Sequence, residues 1–114
     1  MKREVKIKRY LLDITKAIRE IESFFEEGQK VYKNYCNDIK TKRAVEREIE
    51  IIGEATNRIL KLDSGFKINN TRKIIATRNK VIHGYDKVDD EIIWSIVINH
   101  LPKLKIEVES LLKK

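Results

Sequence analysis

The stretch Arg78-Asn79-Lys80-Val81-Ile82-His83-Gly84-Tyr85 decides how this 114-residue chain is read. It closes an apolar-periodic run that begins near Thr71 and precedes the strongest turn signal of the second half, Gly84 to Asp89. At about 100° per residue, Ile74, Ile75, Val81 and Ile82 fall on one helical stripe with Arg78 at its centre. A guanidinium keeps its proton in a protein, so at the middle of an apolar face it must be paired or must line a wet cleft. Asn79 and His83, four residues apart, share a neighbouring face, and Tyr85 follows two residues on. A helix ending in a cation and a satisfied histidine would explain the His alone; the Arg in the stripe points instead to a functional site.

Outward from this stretch, the periodicity is helical throughout and no strand pattern or internal repeat interrupts it. Ile7, Tyr10, Leu11, Ile14, Ala17, Ile18, Ile21, Phe24 and Phe25 recur at three- and four-residue steps, which predicts a first helix from about Lys6 to Glu27 stopped by Gly28. A weaker segment, Gln29 to Asp38, reads as a short helix with a break at Asn37-Asp38; Asp38 or Thr41 then serves as an N-cap. A second long helix is expected over Lys42 to Leu62, with Ala44, Val45, Ile49, Ile52, Ala55, Thr56, Ile59 and Leu62 buried. Gly53 in its middle costs about 1 kcal/mol against alanine, which suits close approach of another helix. Glu54 beside it could reach Arg78, although a solvated carboxylate is the default expectation. Asp63-Ser64-Gly65 is a turn; Asn69, Asn70 or Thr71 caps the motif helix. Asp89 caps the last helix, whose core stripe runs from Ile93 to Leu112 and is kinked or split at Pro102. Trp94, on the flank of that stripe, is expected to pack.

Composition bounds the function. Hydrophobic residues make up 41% and charged residues 38%, a balance typical of globular rather than disordered chains. One Pro and four Gly favour long helices, and the length suits a single domain over 1–114. The formal charge of +7 favours polyanionic partners, nucleic acid first. Lys2, Arg3, Lys6, Lys8 and Arg9 cluster at the start of the first helix, as a solvated end or as an RNA contact. Cys36 stands alone, and no Cys/His cluster has zinc spacing, so no metal or cofactor is expected; Asp86, Asp89 and Asp90 read as turn and cap residues. No apolar run approaches the ~20 residues of a membrane span and no signal-like segment opens the chain, so a cytoplasmic protein is expected.

Arg-x-x-x-x-His-x-Tyr, with a polar residue after the Arg, resembles the signature of HEPN-domain ribonucleases of the HepT type. Ala44-Val45 followed by Ile49-Glu50-Ile51-Ile52-Gly53-Glu54-Ala55 resembles a long helix of that family, and Asp89 to Trp94 with Asn99-His100-Leu101-Pro102-Lys103-Leu104 resembles the helix after the motif. The resemblance is strongest from Ala44 onward and weakest over Gln29 to Lys40. It implies an all-α, HEPN-type bundle of four or five helices with the motif at the end of the helix before the last. It also implies a homodimer whose two motifs face one cleft. By the same resemblance the chain is a metal-independent endoribonuclease, the toxin of a type VII-like toxin–antitoxin system. Arg78, Asn79 and His83 are then catalytic, and Tyr85 is AMPylated by a cognate minimal nucleotidyltransferase antitoxin. The alternative is a nucleotide- or RNA-binding partner of such an enzyme that cuts nothing. A third reading is a structural helical dimer with Arg78 paired to Glu54 across its interface.

Overall fold

The computed structural model describes residues 2–25, 30–83 and 89–114, and within 80–83 the backbone alone. All regular structure among them is helical: α1 (Arg3–Ser23), α2 (Tyr32–Cys36), α3 (Ile39–Leu62), α4 (Arg72–His83), α5 (Asp90–Ser95), a π-helical turn (Ile96–His100) and α6 (Leu101–Leu112). The all-α helical bundle expected from the sequence is what the chain forms.

The long helices build the core from the stripes that their sequences carry. Ile7, Leu11, Ile14, Ala17, Ile18 and Ile21 of α1 meet Val45, Ile49, Ile52, Ala55 and Ile59 of α3, and all are buried. α4 lies on another flank of α3, and α6 closes against α1 through Leu101, Leu104 and Val108. The thinnest extent of the molecule is 20 Å, about two helix diameters, so the bundle is two layers deep with α3 as its spine.

Several boundaries differ from the sequence expectation: α1 begins at Arg3 instead of about Lys6, α2 covers Tyr32–Cys36 within the segment Gln29 to Asp38, and two further differences have local reasons. α1 stops at Ser23 instead of about Glu27, and Gly28 lies outside the described residues. The Ser23 hydroxyl donates back to the Glu20 carbonyl at 2.6 Å, and the Phe24 and Phe25 amides donate to the carbonyls of Ile21 and Glu22 at 3.1 Å. These three-residue steps tighten the last turn and end the helix. Phe24 is left exposed, while Phe25 meets the edge of Trp94 at 5.9 Å between centroids. Trp94 also packs on Tyr32 and Tyr35, so it is the hub of an aromatic cluster that seats α2, as packing rather than as a free face. α3 begins at Ile39, three residues before Lys42. The Asp38 carboxylate accepts from both the amide (3.1 Å) and the hydroxyl (2.7 Å) of Thr41, and those bonds hold its pKa below the usual carboxylate range.

The approach to α4 is set by the turn after α3. Asn70 takes a left-handed φ of 60°, and the Asn69 amide donates to the Glu107 carboxylate of α6 at 2.7 Å. Thr71, buried, then leads into α4 with its carbonyl accepting from the Ile75 amide. After the motif, the Asp89 side chain accepts from the Glu91 amide at 2.9 Å, and Asp90 pairs with Lys42 of α3 at 2.9 Å. The expected break at Pro102 takes the form of the π-helical turn directly before it. Pro102, second residue of α6, lacks an amide proton and crowds the preceding turn, and one wider turn accommodates both.

Candidate functional site

Arg78 lies where α4 crosses α3, directly over Gly53. A Cβ built on Gly53 would stand 2.7 Å from Arg78 Cβ, 2.9 Å from Cγ and 3.3 Å from Cδ. The aliphatic stem of the arginine therefore runs across bare backbone, in space that alanine would fill. This is the close approach expected of a mid-helix glycine, and the partner is the motif arginine itself.

The residue after the glycine receives the guanidinium. Arg78 Nη2 donates to Glu54 Oε2, and Nη1 donates to Asn79 Oδ1 at 3.2 Å. Arg78 Nε is buried with no acceptor among the described residues. The side chain as a whole is 19% exposed. Glu54 is thus not the solvated carboxylate expected by default. Its pairing with Arg78 forms within a single chain, not across an interface as the structural-dimer reading had it.

Glu54 serves a second cation as well. Its Oε1 accepts from Arg58 Nε at 2.8 Å, one turn along α3. The Arg58 hydrogen bond first, and the charge of Arg78 after it, hold the Glu54 carboxyl below its ordinary range. Glu54, and after it the Tyr10 hydroxyl, raise the pKa of Arg58 in turn. Two guanidiniums share one carboxylate, so the group carries a surplus positive charge at the surface. An anion with oxygens to spare is what such a group can bind.

The other motif residues are placed less fully. Asn79 is exposed and its amide oxygen faces Arg78 rather than the next turn. His83 is the last residue of α4, five residues and about 7.5 Å of helical rise beyond Arg78. Its side chain lies outside the described residues, as do those of Val81 and Ile82, and so does Tyr85 altogether. Of the expected stripe, Ile74 is buried and Ile75 half-buried. Thr77, which the stripe did not include, is buried with its hydroxyl donating to the Lys73 carbonyl at 2.8 Å. The sequence reading missed Arg58 and Tyr10. The Glu54/Arg58 spacing of four residues was the available signal for the first; nothing along the chain signals the second. Of the three aspartates read as turn and cap residues, Asp89 and Asp90 act as a cap and an ion-pair partner, and Asp86 lies outside the described residues.

Comparison with known proteins identifies the family. The family described as Ribonuclease HepT-like matches residues 14–111. The chain is 38% identical over 110 residues to "Probable ribonuclease HepT" of Thermococcus cleftensis, covering 93% of this chain and 96% of that protein. It is 34% identical over 105 residues to "Putative RNase MJ1380" of Methanocaldococcus jannaschii, covering 90% and 94%. It is 29% identical over 102 residues to "Putative RNase TTE0752" of Caldanaerobacter subterraneus subsp. tengcongensis, covering 85% and 88%. No solved structure matches.

Proposed function

The chain belongs to the HepT-like ribonuclease family, and from that premise we propose that it is a metal-independent endoribonuclease that cuts RNA with the substrate's own 2′-hydroxyl. The observation that carries this reading is Arg78: partly buried, its stem seated over Gly53, and its guanidinium aimed by a carboxylate that it shares with a second arginine. The 2′-oxygen attacks phosphorus, the bond to the 5′-oxygen breaks, and a 2′,3′-cyclic phosphate and a 5′-hydroxyl result. A base takes the 2′-proton and an acid supplies one to the leaving oxygen. Histidine, with an unperturbed pKa of about 6.5, serves either step, and His83 is assigned to it. Arg78 meets the charge that gathers on the non-bridging oxygens, where a planar permanent cation acts in two-pronged fashion. Asn79, bonded to Arg78, fixes the guanidinium plane or holds a phosphate oxygen.

One His83 per chain leaves the acid–base pair incomplete, so the active species is a two-fold homodimer with both motifs on one cleft. Control falls to Tyr85. A cognate nucleotidyltransferase antitoxin transfers AMP to its phenol, which puts a phosphate and a nucleotide where the RNA must lie. In the cytoplasm such a pair forms a toxin–antitoxin module.

The test uses the purified chain free of any partner. RNA is cleaved to 2′,3′-cyclic phosphate ends in the presence of EDTA, while Arg78→Ala and His83→Ala lose cleavage by at least about 10³-fold and keep the helical circular dichroism signal. Cleavage that EDTA abolishes would sink the metal-free mechanism. RNA retardation without cleavage would make the chain a binding subunit. Co-expression with the nucleotidyltransferase adds AMP mass on Tyr85 alone; AMP on Tyr10, Tyr32 or Tyr35 instead breaks that part of the proposal.

A further inference from the structure

Beside Glu54, between the first half of α1 and the last turns of α3, opens a cleft of about 340 Å³. It is lined by Lys6, Arg9, Tyr10, Arg58, Lys61 and Leu62. The two helices contribute matching sets. Lys6, Arg9 and Tyr10 stand at steps of three and four on α1, and Arg58, Lys61 and Leu62 repeat those steps on α3, so each set occupies one helical face. The lining holds four cations and no carboxylate. Among the described residues Lys6, Arg9 and Lys61 form no ion pair, and the one ion pair of Arg58 is with Glu54. Bringing like charges together across two packed helices is unfavourable until an anion enters, and a volume of this size matches a small-ligand site.

Three features say what that anion is. The charges line both walls, as a chain of phosphates would require and a single carboxylate would not. Tyr10 is half-buried between them and offers a ring to a base. The cleft also adjoins the motif: Tyr10 and Arg58 line a neighbouring cavity of about 240 Å³ together with Asp13, Glu50 and Glu54, and the other oxygen of Glu54 holds Arg78, so the path between the two runs over Arg58 past three carboxylates. A basic groove with an aromatic platform is how single strands are bound without sequence reading, since every unpaired base has a face to stack and a paired base does not.

We propose that the α1–α3 cleft binds single-stranded RNA next to the cleavage site, with phosphates on Lys6, Arg9, Arg58 and Lys61 and a base against Tyr10. The proposal rests on the ribonuclease reading for its choice of ligand and adds a substrate subsite to it. The strand leaving Arg78 runs over Arg58 into the cleft, which feeds the phosphodiester to the motif and holds the flanking nucleotides. Part of the basic cluster at the start of α1 is thereby an RNA contact, and its other members are a solvated end.

The experiment measures binding without cleavage. A fluorescein-labelled, fully 2′-O-methylated 12-nucleotide RNA lacks the attacking hydroxyl, so anisotropy reads affinity alone across a salt series. The triple variant Lys6→Gln/Arg9→Gln/Lys61→Gln is expected to bind at least tenfold more weakly at 0.1 M salt. Its slope of log affinity against log salt should fall by about two, at about 0.7 for each phosphate that the protein no longer neutralises. Tyr10→Leu is expected to weaken binding about tenfold and Tyr10→Phe hardly at all, because stacking needs the ring and not the hydroxyl. Circular dichroism checks that each variant folds. Affinity and salt slope at wild-type values in the triple variant overturn the proposal. So does an equal loss on an RNA duplex, or no effect of Tyr10→Leu, either of which would mark a general polyanion surface. A wild-type chain that binds this RNA through the cleft and cuts no natural RNA breaks the ribonuclease reading alone. One that cuts RNA while the cleft variants bind normally breaks the cleft alone.

Discussion

Glu48 and Glu54 stand six residues apart on α3 and meet opposite fates. Glu54 is partly exposed and faces two guanidiniums, which hold its carboxyl ionised. Glu48 is 5% exposed at the α1–α3 contact and faces Glu20. Burial, then the hydrogen bond to Glu20 and its charge, push Glu48 up to about 7, against a weaker downward pull from Arg47 and Lys16. One residue type on one helix thus becomes a fixed counter-charge or a proton holder according to what the facing surface offers. The flank of α3 turned to α4 supplies charge to the site. At Glu48, the flank turned to α1 keeps a proton inside the bundle.

If that contrast is right, the two carboxylates fail differently when neutralised, and the largest effect falls on the site. Glu54→Gln keeps the shape and removes the charge that aims Arg78. With Arg78 left free to swing, kcat for RNA cleavage is expected to fall about 10²-fold, the order associated with misplacing a catalytic group by about 1 Å. KM should change little, and the thermal midpoint should stay within a few degrees of wild type because the Glu54 side chain is 39% exposed and water screens its charge. Glu54→Asp should recover part of kcat. Full activity in Glu54→Gln would make the pair structural and erase the distinction.

Gly53→Ala sharpens the same point from the backbone side. Alanine gains about 1 kcal/mol of helix propensity, yet its Cβ would stand 2.7 Å from Arg78 Cβ, an atom that no rotamer change can move. α4 must back away from α3 by some tenths of an ångström. The expected outcome is about a tenfold loss in kcat with a thermal midpoint close to wild type, read by single-turnover cleavage and by calorimetry on the same sample. A large loss of stability with normal activity per folded molecule would show that the glycine serves packing and not the arginine.

How much of this was legible before the structure depends on whether the signal runs along the chain or across it. The helices were legible because their stripes repeat every three or four residues, and the bundle follows from stripes too apolar to be left in water. Arg78 was legible as an anomaly, since a permanent cation in an apolar stripe demands an answer. Gly53 told of a close approach but not of what approaches. The rest depends on facing residues. Glu54 could be drawn as solvated or paired from the sequence, and the choice needed the crossing of α3 and α4. Glu48 stands three residues after Val45 and four before Ile52, on the apolar stripe, but that it meets Glu20 there needed the packing of α1. The basic cluster of Lys2, Arg3, Lys6, Lys8 and Arg9 was visible, but its division was not, because Arg58 and Lys61 join two of its members from some fifty residues away. The end of α1 at Ser23 was hidden by a side-chain bond to the backbone that competes with the helix, a local choice that hydrophobic periodicity does not record.

The smallest effect belongs to Glu48 and concerns pH. An ordinary glutamate titrates at 4.5, and Glu48 in the folded chain titrates at about 7. Between those values the native state holds a proton that the unfolded chain has released. Unfolding therefore gives up a proton, and stability falls as pH rises through this window. The contribution of Glu48 is complete below about pH 4.5 and gone once the pH has passed 7. Asp38 and Glu54, both held below their ordinary range, act in the opposite sense: their stabilisation is present above the unfolded values and is lost as the solution is made more acidic. Neither acts in the neutral window, but His100 does: burial holds its pKa below 6.5, so its contribution to stability rises with pH there and opposes that of Glu48. The Glu48 part of wild-type stability is expected to fall by about 5 °C in thermal midpoint between pH 5.5 and pH 8, on the scale of about 1 kcal/mol in a domain of this size. Glu48→Gln should flatten that decline and be the more stable of the two at pH 8, while its cleavage rate stays within about twofold of wild type. Subtracting one melting curve series from the other cancels every titrating group that the substitution leaves alone. Parallel curves across pH 5.5 to 8 would mean that Glu20 and Glu48 share no proton, and the contrast between the two glutamates of α3 would reduce to a difference in exposure.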